Sequence, residues 1–493
     1  MSEHSDIRGR HPGQALERHP GQALEGGCCS RRRWIGGWGA GLAGLALTDL
    51  LSRQSIADAA AGSAGSPLAA RPPHFAPLAK RVIFLFMHGG VSQVDSFDHK
   101  PQLKRHDGEP LPFEKPRVQF GTTGNLMRSP WKFRRHGESG AWVSELFPET
   151  ARLVDDLAFI KSLHGSNEAH GGALLKIHTG SDTFVRPSMG AWISYGLGTE
   201  NEDLPSFITI SPTLGHGGVQ NFGSAFLPPA HQGTRVGVRG ASMADTTISN
   251  LNNPSVSAAI QTEELRLARE LNERQLARSG PDGELQARIE SFELAFRMQA
   301  EAPGLFDLDG ETETTLRLYG IDGSPTENFG RQCLMARRLS EAGVRFVQCS
   351  HAYWDQHSEL REKHAENAAQ VDRPIAGLLR DLKARGLLEE TLVIWGTEFG
   401  RTPTVQGKNG RDHNPHGFTW WFAGGGVRPG VSYGATDEFG YYATENKVHV
   451  HDLHATLLHL LGLDHTALTY RYGGRDFRLT DVHGRVVREI LRG

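Results

Sequence analysis

"TLVIWGTEFGRTP", Thr391–Pro403, decides how this chain folds. Its first six residues are almost all apolar, β-branched or aromatic. They predict a strand buried on both faces, because a half-exposed strand would alternate apolar with polar side chains. A carboxylate, Glu398, follows at once, then Gly400 and Arg401. In an open parallel sheet, ligands collect beyond the carboxyl ends of strands. Glu398 therefore marks a candidate site as well as the end of a strand.

Five further runs read as buried parallel strands: "RVIFLFM" (81–87), "LAFIKSL" (157–163), "PSFITI" (205–210), "VRFVQCS" (344–350) and "TWWFAGG" (419–425). Helical patterns alternate with them. Ile375, Leu378, Leu379 and Leu382 share one helix face, with Gly386 as a stop. Leu453, Leu457, Leu460 and Leu461 form a second stripe, ended by Gly462. Strands alternating with helices predict an α/β sheet covered on both faces. The stretch from about 255 to 330 has charged amphipathic helices and no strand between them, and reads as a helical insertion that covers or gates one side.

The chain has 493 residues, 22% of them charged, with a net charge of -3, which argues against a nucleic-acid partner. Its 24 histidines cluster beside Asp, Gly and Asn, a composition suited to metal sites or acid–base chemistry. Only Cys333 and Cys349 lie beyond the leader, so one disulfide at most is available.

At the N-terminus, "RHPGQALE" occurs twice in tandem (10–17 and 18–25). "SRRRWIGGWGAGLAGLAL" follows from Ser30: a basic cluster, then an apolar run too short to span a bilayer. With Ala57 and Ala59 offering a small-x-small cleavage pattern, residues 1–60 read as a twin-arginine-type signal peptide. The expected location is periplasmic or secreted, with no transmembrane segment after cleavage. Residues 61–79 read as a linker and 80–493 as a single folded domain.

The strand ends carry the chemistry. His88, Ser92, Gln93, Asp95 and Asp98 follow the first run, and His164, Glu168 and His170 the second. His351, Asp355 and His357 follow "VRFVQCS"; Glu398 and Arg401 follow "TLVIWG"; then come Asp412, His413 and His416. Mixed Asp, Glu and His donors suit a divalent transition metal. The Gly-rich "AGGGVRPG" from Ala423 lacks the spacing of a dinucleotide-binding loop.

The order of these segments resembles the alkaline phosphatase and sulfatase superfamily. "AFIKSLHGSNEAHGGALLKIHTG" is similar to the stretch that presents the sulfatase nucleophile, and "VHVHDLHATLLHLLGLD" to a late helix of that superfamily. More closely, the chain resembles the exported family named domain of unknown function 1501. The matching residues include Gly89-Gly90-x-Ser92-Gln93-x-Asp95, Trp354-Asp355-x-His357-Ser358, Gly396-x-Glu398-Phe399-Gly400-Arg401-Thr402-Pro403 and Asp412-His413-Asn414-Pro415. The resemblance implies an alkaline-phosphatase-like three-layer sandwich with a mostly parallel central sheet. It also implies one or two divalent ions (zinc, manganese or calcium). Asp355, His357 and His413 fill the places of one ligand set and Glu398 part of another. The first strand's end supplies Asp95 or His88, with Asp95 preferred. His170 stands where a sulfatase has its modifiable cysteine, as nucleophile, metal ligand or general acid; Ser166 is the weaker alternative. Arg401 is read as an oxyanion clamp or a local salt-bridge partner.

The implied activity is metal-dependent hydrolysis of phosphate or sulfate esters on a small-molecule or glycan substrate. The alternative is a catalytically inactive, sulfatase-like protein that binds sulfated or phosphorylated glycans. The sequence leaves the oligomeric state open.

Overall fold

Six apolar residues headed by an arginine, RVIFLFM, form the central strand β1 (Arg81–Met87), buried from its second residue onward. The structure, a computed structural model, describes residues 68–114, 122–244, 246, 256–279, 283–323 and 325–492. These lie in the unit Ser66–Gly493. The expected signal peptide, 1–60, lies outside them.

Eight further strands join β1: β2 (Leu157–His164), β3 (Phe207–Ile210), β4 (Thr234–Val236), β5 (Phe346–His351), β6 (Thr391–Gly396), β7 (Phe418–Ala423), β8 (Val431–Tyr433) and β9 (Val448–His449). Their order is β8-β2-β7-β6-β1-β5-β3-β4, with β9 also on β2. Every pairing is parallel except the two made by β7, which is antiparallel to both β2 and β6. The mixed α/β class and mostly parallel sheet expected from the sequence are therefore present, with β7 corrected from parallel to antiparallel. The physical reason is the connection. Residues 397–417 hold only short strand pairs and turns, and a parallel return needs a crossover, usually a helix. The reversal matters for the site, because it brings the residues just before β7 to the rim where β1, β5 and β6 end.

Successive strand residues point to opposite faces. Ile83, Leu85 and Met87 enter one core with Val347, Cys349, Val393 and Trp395. Val82, Phe84 and Phe86 enter the other with Phe346, Leu392 and Ile394. Seven helices supply the rest of this account: α1 (His170–Thr179), α2 (Met189–Leu197), α3 (Ala258–Ser279), α4 (Gly283–Phe306), α5 (Glu327–Glu341), α6 (Leu360–Ala384) and α7 (Val450–Leu460). The first core is closed by α5 and α6, through Leu334, Leu339, Ile375, Leu378 and Leu382. The second is closed by α1, α2 and α7, through Ile177, Trp192, Leu453 and Leu457. Three layers result. Both predicted helix stops hold: Gly386 and Gly462 take φ +69 and +75.

The strand-free stretch is helical, as α3 and α4, and α4 sends Leu294, Met298 and Ala302 into the first core. Residues 68–79, expected as linker, instead pack on the domain. Leu68 is buried, Arg71 N donates to Leu197 O at 2.9 Å, and Leu78 N donates to Leu460 O at 2.9 Å. Cys333 and Cys349 are buried free thiols. Among the described residues, no helix is long and apolar enough to cross a membrane.

Candidate metal centre

The rim is built by the register of the sheet. Phe86 pairs with Gly396 and Met87 with His351, so β1, β5 and β6 end together. His88-Gly89-Gly90, Thr397-Glu398 and the 352–358 loop leave from that one edge. Gly89 adopts φ +125, and a Cβ on it would lie 2.7 Å from the Trp354 and Asp355 nitrogens. Only glycine lets these two loops touch.

Glu398 lies deepest, 3% exposed, and accepts from Gly89 N at 2.9 Å. Its Oε1 is 2.8 Å from His170 Nδ1, where His170 opens α1. His170 Nε2 is 3.1 Å from Asp355 Oδ2, though off the line of a good hydrogen bond. Asp355 Oδ1 then meets His357 Nε2 at 2.9 Å and His413 Nε2 at 3.1 Å. The depth is graded: Glu398, His170 and His413 are buried, whereas the Asp355 side chain is 41% exposed.

The tautomer of His413 follows from geometry. Its Nδ1 is 2.6 Å from the Glu168 carbonyl, which can only accept, so Nδ1 carries the proton. Nε2 then presents a lone pair toward the Asp355 carboxylate. Two acceptors facing each other repel unless a cation or proton stands between them.

Burial pushes His413 down to about 4, the Arg401 charge adding to it and Asp355 opposing. Burial also opposes charge on His170, but its contacts with the Asp355 and Glu398 carboxylates outweigh it and raise it to about 9. Burial works against ionisation of Glu398, yet His170, the His88 charge and Gly89 N–H bring it down to about 2. Asp355 is held far below the usual carboxylate range: His170, His357, His413 and Arg401 together overcome its burial. The Asp355 bond raises His357.

Among the described residues, three groups have ligand atoms within 4.8 Å of one another: His88, His170 and His216; His170, Asp355 and His413; His357, Asp412 and His413. The donor set therefore fits one or two divalent ions. Both ring nitrogens of buried His88 lack a hydrogen-bond partner, as does His170 Nε2. Of the residues expected from sequence, Asp355, His357, Glu398, His413 and His170 come together.

Asp95 does not join them. Its carboxylate is fully buried against Arg411, 2.7 Å from Nε, and accepts from Ser92 Oγ at 2.5 Å. His88 takes the place expected for it, 3.8 Å from Glu398. Arg401 is likewise no oxyanion clamp. Fully buried, it donates to the carbonyls of Gly89, Gly90, Trp354 and Arg411 and to Asp355 Oδ1 at 2.7 Å. It ties three loops together beneath the site.

His216 was missed. It sits in the loop after β3 at φ +46, its ring stacked on His170 at 5.0 Å. Its signal was available: "SPTLGHGG" also follows a strand end.

The protein is a mixed α/β fold whose mostly parallel sheet gathers imidazoles and carboxylates at its carboxyl rim, a candidate metal site. The family profile described as "Protein of unknown function (DUF1501)" matches residues 79–491, and the chain belongs to that family. No curated protein matches it. Similar solved structures include the lipoteichoic acid synthase LtaP from Listeria monocytogenes, at 9% identity over 84% of this chain and 78% of that one, TM-score 0.36. The PsFucS1 sulfatase from Pseudoalteromonas sp. follows at 13%, 78% and 68%, TM-score 0.33. The alkaline phosphatase from the Antarctic bacterium TAB5 gives 10%, 72% and 94%, TM-score 0.32.

Proposed function

We propose that the protein is a metal-dependent hydrolase of phosphate or sulfate esters. One observation carries the reading: the Asp355 carboxylate faces the Nε2 atoms of His170, His357 and His413, an arrangement of donors that a cation completes. His170, Asp355 and His413 would hold one ion, with His357 and Asp412 beside it. His88, His216 and Glu398 would complete a second position around His170. An imidazole-rich set favours zinc or manganese over calcium, which prefers all-oxygen shells. Bound there, a divalent ion polarises the ester and acidifies a water.

The chain's own residues do the rest. Both nitrogens of His170 point at carboxylates, so it acts by holding and orienting and not by covalent attack. Glu398, anchored by Gly89 N–H, keeps a fixed negative charge at the floor. The exposed imidazole of His216, stacked on His170, would be the outermost ligand of that second position. Aryl phosphates and aryl sulfates, assayed with added zinc or manganese, test the reading. Turnover lost in Asp355→Asn supports it; no turnover of either ester class with any ion contradicts it.

Phe399 favours a second reading, binding without turnover. It stacks on His413 at 4.3 Å and also packs beside His170. It walls the site with an aromatic ring where the superfamily resemblance implies a ligand. Retained affinity for a sulfated sugar with no turnover would select this reading.

We also propose twin-arginine export, resting on Arg31 and Arg32 before the apolar run. Cell fractionation tests it: replacing both by lysine should hold the precursor in the cytoplasm, and unchanged export would exclude it.

A further inference from the structure

A cavity of about 750 Å³ is lined by none of the residues of the candidate metal site. That volume is within the range of ligand pockets. Its walls come from the segments that follow β1, from residues 127–133, from the start of α6 and from Asn409.

The charge of this cavity is lopsided. Two of its cations are already answered: Lys100 by Asp98 at 3.2 Å and Arg128 by Asp107 at 3.3 Å. Lys104, Lys132 and Arg361 line it with no ion-pair partner among the described residues, against one unpaired carboxylate, Glu362. All three cations are exposed, so each can reach a ligand. Aromatic surface adjoins them: Trp131 forms part of the wall, and Phe133 stacks on His99 at 4.9 Å. Cations next to flat apolar rings suit a ligand that is both anionic and built of rings with apolar faces.

The cavity adjoins the segment that carries His357. Gly410 is packed so closely on His357 that a Cβ there would lie 2.1 Å from the His357 oxygen. Gln406 hydrogen-bonds the His357 ring, and Asn409 of the same turn accepts from Glu359 N at 2.8 Å. From His357 the chain runs straight into α6, whose second residue is Arg361. The wall formed by Asn409, Leu360 and Arg361 thus belongs to the segments that hold His357.

We propose that this cavity is a subsite for an anionic saccharide: it grips one sulfated or phosphorylated sugar of a chain while a neighbouring ester reaches the metal centre. Preference for a polymeric substrate follows, and that turnover half rests on the hydrolase reading. The binding half does not.

The test uses the full folded chain, stripped of metal and then loaded with zinc. Binding of a sulfated dextran oligosaccharide, the same oligosaccharide unsulfated, and a short single-stranded DNA is measured by calorimetry. Lys104→Ala/Lys132→Ala/Arg361→Ala, a surface variant, is compared with the wild type. The proposal expects sulfate-dependent binding with and without metal, weakened at least tenfold in the triple variant, and weakened separately by Trp131→Ala. Unchanged binding in the triple variant overturns it, and so does DNA bound as tightly as the sulfated sugar. If saccharide binding behaves as expected while no ester is turned over, the hydrolase reading fails and the subsite stands.

Discussion

His170 joins Asp355 to Glu398: Nδ1 sits 2.8 Å from Glu398 Oε1, and Nε2 sits 3.1 Å from Asp355 Oδ2. One imidazole from the start of a helix thus links residues that lie at the ends of two different strands' loops. Replacing it with asparagine should empty the centre and abolish turnover. Losing an outer partner of a ligand costs roughly 10–100-fold in affinity, and losing this central group should exceed that. Metal content per folded protein, by elemental analysis, checks it. A His170→Asn protein that keeps its metal would show that the imidazole only packs there.

Arg401 should prove to be a structural residue. Its buried guanidinium bonds four carbonyls and a carboxylate, so Arg401→Ala strands both the carbonyls and the Asp355 charge. A buried carbonyl left without its donor costs about 1–3 kcal/mol. Lysine should not rescue it, since one ammonium cannot reproduce the planar fork. Thermal denaturation reads this directly. A stable Arg401→Ala protein with a raised KM alone would restore the oxyanion-clamp assignment.

The Asp95–Arg411 pair makes the converse case. Both side chains are fully buried, 2.7 Å apart. Asp95→Asn should lower the melting temperature while leaving metal stoichiometry intact. Loss of metal without loss of stability would return Asp95 to the ligand set.

Much of the frame could be read from the chain because apolar runs and leucine stripes report burial directly. β1, β6 and the long α6 appear where their patterns fall. The direction of β7 could not be read that way, since a fully buried strand has the same composition whichever way it runs. The site divides for a similar reason. Residue type and position after a strand identified Asp355, His357, Glu398 and His413, whose loops leave the same edge. They could not distinguish Asp95 from His88, because both follow closely on the first strand. That choice is made by Arg411, more than three hundred residues away, which captures the Asp95 carboxylate. Arg401 was ambiguous for the same reason: its carbonyl partners belong to the fold and leave no mark on side-chain pattern.

Acid should destabilise the protein through histidines buried in neutral form. His454 is fully buried on α7, and its Nε2 donates to the Ile177 carbonyl at 2.7 Å. Burial, aided by the charge of His451, pushes it down to about 3. The unfolded chain, near 6.5, takes up a proton more readily throughout that interval. This contribution to stability is therefore complete above about pH 6.5 and is lost as pH falls toward 3. His454→Gln keeps a donor for Ile177 and removes the titration, so its melting temperature should fall less steeply between pH 6.5 and 4. Parallel curves for the two proteins would exclude His454 as a source of acid lability.

The most direct measurement is anomalous diffraction from crystals of the protein grown without added chelator, recorded on both sides of the zinc and manganese edges. The account predicts a peak within coordination distance of His170, Asp355 and His413, with His413 Nε2 facing the ion and Nδ1 still on the Glu168 carbonyl. An empty rim in a crystal grown with either ion in excess, His170 still bridging Asp355 and Glu398, would contradict it.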